Sequence, residues 1–295
     1  MSFTIITDTS ANLPTDFIRR ERIEILPYSY TLRGRDQRVT LELDRFQGDK
    51  FYDAMRKGMS VTTSLISPKS YAERFEAVLA RGEDAIFISM SSGISNSFRC
   101  AQLAAEEVLA RYPDRRLWLI DTLGASLGEG LLVLRAVERR RQGVPAEETA
   151  AELQELRHRV CQVFTVDDLQ YLRKGGRLSN MAAFVGTVLN IKPLLKGNEQ
   201  GKIVAFGKVR GRKKSIDALA ARYDLLVERP EEQTVGIAQA GCPQDAAELA
   251  EKLRKNRPPR EILIVDYEPV TGSHVGPGAL ALFFLGRGDV RTACS

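Results

Sequence analysis

Short runs of apolar, β-prone residues alternate along this chain with amphipathic stretches of helix length, and no other feature narrows the fold as far. The strand candidates are Phe3–Ile6, Ile23–Tyr30, Ala85–Ser89, Leu117–Ile120, Cys161–Val166, Val235–Ala240 and Ile262–Tyr267. Most are apolar at consecutive positions, the pattern of strands buried on both faces of a parallel sheet. A short helix is expected at Pro14–Arg20. Longer ones are expected at Pro68–Ala80, Asn96–Arg111, Ser126–Arg141, Ala146–Arg157, Ile216–Val227 and Gln244–Lys255. Ser67 followed by Pro68 supplies an N-cap and a first helical residue. This alternation specifies an α/β fold with mainly parallel sheets. A chain of 295 residues is long enough for about two domains. The polar helix Ala146–Arg157 separates two blocks of alternation, so the division is placed near residue 160, giving α/β domains over 1–160 and 161–295.

Composition removes several function classes. Hydrophobic residues make up 43% and charged residues 27%, ordinary values for a folded soluble domain. The most apolar stretch, Ala279–Leu285, is far shorter than the roughly 20 residues that cross a bilayer. The N-terminal MSFTIITDTS has no basic region ahead of its apolar residues, so a cytoplasmic protein is expected rather than a secreted one. Cys100, Cys161, Cys242 and Cys294 are widely spaced, and His158 and His274 are the only histidines; neither a disulfide framework nor a metal site is expected. The net charge of +5 permits an acidic partner. Nucleic acid is not expected, because no recognisable module or row of stacking aromatics accompanies the basic residues.

In open α/β sheets ligands collect beyond the carboxyl ends of the strands. Here those loops are rich in hydroxyls: Thr7-Asp8-Thr9-Ser10, Thr62-Thr63-Ser64, Ser91-Ser92-Gly93 and Asp121-Thr122, each followed by a helix. Such residues are also favoured helix caps. Four together at helix N-termini nonetheless suit a carboxylate or phosphate. His274 lies in Gly272-Ser273-His274-Val275-Gly276-Pro277-Gly278, read as a loop between a strand and a helix, where it serves either as structure or as a contact to a polar head group. A Ser, a His and nearby Asp residues raise the alternative of a self-contained serine hydrolase or acyltransferase using Ser92 and His274. The nucleophile elbow G-x-S-x-G is absent, since Met90 stands two positions before Ser92. Gly197-Asn198-Glu199-Gln200-Gly201-Lys202-Ile203 is one residue too short between its glycines for a Walker A loop, and no dinucleotide fingerprint occurs. Two basic clusters, Arg173-Lys174-Gly175-Gly176-Arg177 and Lys208-Val209-Arg210-Gly211-Arg212-Lys213-Lys214, bracket the apolar stretch Ala182–Leu195 and suit an acidic partner or a phosphate.

Taken together, Asp8-Thr9-Ser10 with Asn12-Leu13-Pro14, Thr63-Ser64, Ser92-Gly93 with Asn96-Ser97, Asp121-Thr122, Leu172 to Ser179, Asn190-Ile191-Lys192-Pro193, Arg210 to Lys214 and His274-Val275-Gly276-Pro277-Gly278 resemble the DegV family almost end to end. The resemblance implies two α/β domains with a long-chain fatty acid buried between them. It implies no other cofactor and no metal. The protein would be a non-catalytic subunit that presents the acyl carboxylate to a separate ATP-dependent fatty-acid kinase, in phospholipid metabolism, with transient membrane contact allowed. By the same resemblance Thr63, Ser92 and His274 bind the carboxylate, with Thr9, Ser10, Ser64, Gly93, Asp121, Thr122 and Gly276 in support. Arg177, Arg210, Arg212 and Lys213 are then candidates for docking the kinase or meeting phosphate. The sequence departs from the family pattern at Leu65-Ile66, where Gln-Pro is usual, and at Ile94-Ser95, where Thr-Tyr is usual; both bear on pocket shape and acyl preference.

Overall fold

The computed structural model describes residues 3–32, 46–179, 190–288 and 290–291. Elements are numbered in chain order. The first sheet consists of β1 (Thr4–Asp8), β2 (Glu24–Leu26), β5 (Ala85–Ser89) and β6 (Leu117–Asp121), in the order β2-β1-β5-β6 with every pairing parallel. Alternate residues of its central strands serve two different layers. Ile6 and Phe87 face α3 (Pro68–Leu79) and α4 (Ser97–Arg111). Ile5, Ile86 and Ile88 face α5 (Leu127–Arg141) and α6 (Ala146–Leu156). The short α1 (Thr15–Arg20) begins after Pro14. A two-stranded antiparallel ribbon of β3 (Ser29–Leu32) and β4 (Val61–Ser64) carries Thr63 opposite Tyr30, with α2 (Gly48–Arg56) between its strands in sequence.

The second sheet has the order β11-β10-β12-β7-β8-β9. Its strands are β7 (Val160–Thr165), β8 (Ile191–Gly197), β9 (Ile203–Arg210), β10 (Thr234–Gln239), β11 (Glu261–Asp266) and β12 (Leu280–Leu285). The parallel arrangement extends only to β10 and β11; β12, β7, β8 and β9 join by antiparallel pairings. The β8–β9 connection is too short for a crossover, so these strands can only form a hairpin. Helices α8 (Arg212–Leu226) and α9 (Pro243–Asn256) cover one face of this sheet. Its other face meets α5.

Helix α5 therefore lies between the two sheets, packing on β1 and β5 and on β7, β10 and β12. Seven consecutive residues, Leu127 to Val133, are buried, which is the signature of a helix with no solvent face in that stretch. Two short helices complete the cavity end of the molecule: α7 (Gln170–Lys174) and α10 (Pro269–Val275), which pack on each other.

Three local expectations change. The run Ile23–Tyr30 is broken at Pro27, which cannot donate to a ladder, and its parts join different sheets. His274 sits inside α10 rather than in a loop, and the following apolar segment is the central strand β12 rather than a helix. Residues 182–189 of the apolar stretch Ala182–Leu195 lie outside the described residues, Asn190 is a turn residue, and Ile191 onward belongs to β8. Cys294 lies outside them too; Cys100, Cys161 and Cys242 are free thiols. Among the described residues no helix is long and apolar enough to cross a membrane, and no group of three His, Cys, Asp or Glu residues is placed to hold a metal ion.

Arg291, only 1% exposed, joins distant parts of the chain. Its guanidinium donates to the carbonyls of Leu123 (2.7 Å) beyond β6, Arg157 (2.9 Å) beyond α6, and Asn198 (3.4 Å) in the β8–β9 turn. Removing it leaves buried acceptors without donors. Arg291→Ala is expected to lower folding stability by about 3 kcal/mol, read as a lower urea midpoint at unchanged slope.

Candidate functional site

A partly open cavity lies where the β5–α4 and β6–α5 loops of the first sheet meet the face of the second. Its empty space, mouth included, is about 950 Å³. The walls are largely apolar, with Met90, Ile94, Phe164, Leu172, Val275 and Phe283 among them. Thr63, His274 and Arg177 meet at one end.

At that end Thr63 Oγ1 lies 2.8 Å from His274 Nε2. The ribbon β3–β4 delivers Thr63 and α10 delivers His274, the two elements packing directly together. Helix α10 is fixed by Glu268, whose carboxylate accepts from the amides of Val270 (2.5 Å) and Thr271 (2.6 Å). Gly175 permits the imidazole to approach, since a β-carbon there would overlap Nδ1. Burial, reinforced by the positive charge of Arg177, pulls the His274 imidazole down to about 4, so it is neutral at physiological pH. Arg177 lines the same end. Its Nε donates to the Ile94 carbonyl at 3.2 Å and another N–H to Gly175, leaving the rest of its donor fork for the cavity. Ser64 and the 46% exposed Leu65 mark the mouth.

The sequence-derived residues separate clearly on this geometry. Thr63, His274 and Ser64 line the cavity. Ser92 does not: it is exposed, its hydroxyl donates to Asp121 Oδ2 at 2.5 Å, and its amide to Asp121 Oδ1 at 3.1 Å. The serine of this loop that lines the cavity is Ser95, buried at 9%. The hydroxyl-rich Thr9, Ser10 and Thr122 point into the protein, where Thr9 accepts from the Tyr28 amide and Thr122 donates to the Ser89 carbonyl. Gly93 packs on the backbone of Gln200 and Gly201, and Gly276 on Tyr171. Arg177 belongs to the cavity rather than to an outer face. Arg212 is engaged by Asp245 at 2.8 Å and by Asp167 at 3.6 Å, whereas Arg210 and Lys213 are exposed. Ser92 and His274 are each bonded to a different partner, so the structure holds no preformed nucleophile–base pair for the serine-hydrolase alternative. Sequence reasoning missed Ser95 and Gln162; the visible signal for Gln162 was a single polar residue inside the apolar strand β7.

The family model described as "Uncharacterised protein, DegV family" matches residues 2–287. This chain belongs to the DegV family. A DegV domain-containing protein of Clostridium perfringens is 35% identical, the match covering 96% of this chain and 97% of that one. Among solved structures, a DegV family protein from Thermus thermophilus described for its fatty-acid binding is similar with a TM-score of 0.87 at 29% identity, covering 97% of this chain and all of the other. DegV from Bacillus subtilis, described as a fatty acid binding protein, has a TM-score of 0.84 at 28% identity, with 97% of this chain covered.

Beneath the cavity this DegV chain buries acidic residues. The Ser10 hydroxyl lies 2.5 Å from both Asp8 Oδ1 and Glu129 Oε2, and Thr7 donates to the other Glu129 oxygen at 2.8 Å. One hydroxyl proton cannot serve two carboxylates, so one of the acids must itself be protonated. Burial pushes Asp8 up to about 6 despite hydrogen bonds from Ser10 and Met90. Burial and the Asp8 charge raise Glu129 well above its ordinary value. A carboxyl with a raised folded pKa gives stability that is complete below its unfolded pKa and is lost as pH rises through the folded value. Glu129→Gln removes that ionisation. The variant is expected to gain stability relative to the parent between about pH 4.5 and about pH 8, as measured by urea unfolding at both pH values.

Proposed function

We infer that this protein is a cytoplasmic carrier of long-chain fatty acid, holding the hydrocarbon tail in the cavity and the carboxylate at Thr63, His274, Ser95 and Arg177. The single observation that carries this reading is the division of one cavity into apolar walls and a cluster of hydroxyl, imidazole and guanidinium donors at its mouth. The likeness to DegV proteins named for fatty-acid binding supports the same ligand.

Energetics assign separate roles to tail and head. Burying about 14 methylenes contributes on the order of 11 kcal/mol of gross transfer free energy. Association costs about 4–15 kcal/mol, so the tail binds tightly only into a cavity that largely exists beforehand. A carboxylate leaving water needs replacement donors, each worth about 1.5–3 kcal/mol. Neutral His274 with its Nε2 bonded to Thr63 suits a relay: the imidazole N–H donates to the Thr63 oxygen, and the Thr63 hydroxyl donates to the ligand. Arg177 supplies the countercharge.

The carrier presents this carboxylate to a separate ATP-dependent kinase for acyl-phosphate formation. Support for that step comes from the carboxylate end lying at the cavity mouth, from exposed Arg173 and Lys174 beside it, and from the absence of a Walker A loop in the chain. Arg210 and Lys213 offer further exposed positive charge for an acidic docking face.

Native mass spectrometry of the purified protein with lipid extraction tests the carrier reading. One long-chain fatty acid per chain is expected; a protein that is empty and takes up no acid from a panel of saturated and unsaturated chains would overturn it. Thr63→Val, Ser95→Ala and Arg177→Ala are each expected to weaken binding by about tenfold, whereas Ser92→Ala leaves it within about twofold. With the kinase and ATP present, the double variant Arg210→Glu, Lys213→Glu is expected to keep its fatty acid and lose most acyl-phosphate formation.

A further inference from the structure

A polar side chain, Gln162, stands in the cavity wall away from the Thr63–His274 pair. Gln162 lies on β7 beside Phe283 of β12, and both line the cavity. Strand β7 runs toward the His274 end: just past its last residue Asp167 meets Gly278, three residues beyond the helix that holds His274. Gln162 stands five residues back from Asp167, on the order of 15 Å at the rise of a strand.

Its carboxamide occupies a slot formed by glycines from three elements. A β-carbon at Gly128 in α5 would come within 2.8 Å of Gln162 Oε1, and one at Gly124 in the preceding loop within 3.2 Å. A β-carbon at Gly197, the last residue of β8, would overlap Nε2. The amide is pinned in place by its 2.8 Å donation to the Leu123 carbonyl. Beyond it lies the buried Arg291, which donates to the same carbonyl at 2.7 Å. The slot thus fits Gln162 closely and lies in the cavity wall where β7 and β8 approach the start of α5. An alkyl chain reaching this point meets the side chain of Gln162 rather than open space.

We propose that Gln162 sets the length limit of the acyl chain, acting as a specificity-determining plug in a glycine-walled extension of the tail cavity. This rests on the fatty-acid reading above. Shortening the side chain joins the slot to the cavity and admits additional methylenes; a side chain of equal length keeps the limit whether or not it bonds to Leu123.

Competition binding with a homologous series of saturated fatty acids, read by native mass spectrometry, tests this on the full chain. In Gln162→Ala the ratio of affinities for a chain two methylenes beyond the parent's optimum over the optimum itself is expected to rise roughly tenfold. Gln162→Asn shifts the preference less, in the same direction, and provides the test if the alanine variant fails to fold. Gln162→Met, which fills the slot without the hydrogen bond, is expected to retain the parent's preference. An unchanged preference in a folded, lipid-binding Ala or Asn variant would overturn the assignment, as would an equal shift in Gln162→Met, which would trace the effect to the lost hydrogen bond. A parent protein that binds none of the acids removes the carrier reading itself, and is distinguishable because it fails before any variant is compared.

Discussion

A single side-chain amide holds the ligand end of this protein together. Asn12, at the end of the turn after β1, adopts the left-handed conformation with φ 56° and reaches across to the segment between β11 and α10. Its Nδ2 donates to the Asp266 carbonyl at 2.8 Å and its Oδ1 accepts from the Glu268 amide at 2.9 Å. The Tyr52 hydroxyl from α2 donates to the Tyr267 carbonyl between those two positions. These bonds fix where α10 begins, the Glu268 carboxylate caps its first amides, and His274 follows one and a half turns later. The position of the imidazole relative to Thr63 is therefore determined by contacts far from either residue. Asn tolerates the left-handed backbone better than most residues, and its amide both donates and accepts, which few other side chains could do in this place.

The same region concentrates charge that burial suppresses. His274 is kept neutral, and burial pushes Glu268 up to about 7 against three hydrogen bonds that favour its anion. With Asp8 and Glu129 also raised, the molecule buries acids near the cavity, while Arg177 is the one cation among the described residues of its lining. An anionic ligand at Thr63 and His274 would oppose the charge of Arg177 and raise the proton affinity of the imidazole. In the proposed carrier, head-group binding would therefore favour proton uptake by His274.

Much of this architecture was readable in the sequence. The bounds of β5 and the register of α4 and α5 followed from periodicity almost to the residue, because each is apolar over enough turns or strand positions to fix its own type. The second sheet was harder. Its strands β8 and β9 carry Pro193, Lys192 and Lys208 and lie partly at the sheet edge, where polar residues are tolerated, and the run before Leu285 is apolar enough to suit a buried helix or a buried strand. At the site, composition pointed to hydroxyl-rich loops and the family resemblance to Ser92, whereas the serine of that loop in the cavity wall is Ser95. The difference depends on how a tight turn disposes each serine: Ser91 bonds inward to the Gly201 carbonyl, Ser92 bonds to Asp121, and Ser95 lies in the cavity wall with its hydroxyl bonded to Ser97 at 3.1 Å. Spacing likewise placed Arg177 in a basic cluster without revealing that the turn after α7 brings it back beside His274.

The cavity exists because one helix is shared by two sheets. Helix α5 can satisfy both only where small residues allow close approach, and Gly128 and Gly130 let Phe283, Gln162 and the Ala11 carbonyl come against its first turn. No residue of α5 lines the cavity, whose walls include Met90 on one side and Phe164 on the other. The gap is lined instead by the loops after β5 and β6 on one side and by residues of the antiparallel strands β7, β8, β9 and β12 on the other. A long amphiphile matches this arrangement for a physical reason: the part of the cavity fixed by sheet packing is apolar and deep, while the part fixed by loops is polar and open. The chain's packing problem and its ligand preference thus have the same origin in the burial of α5.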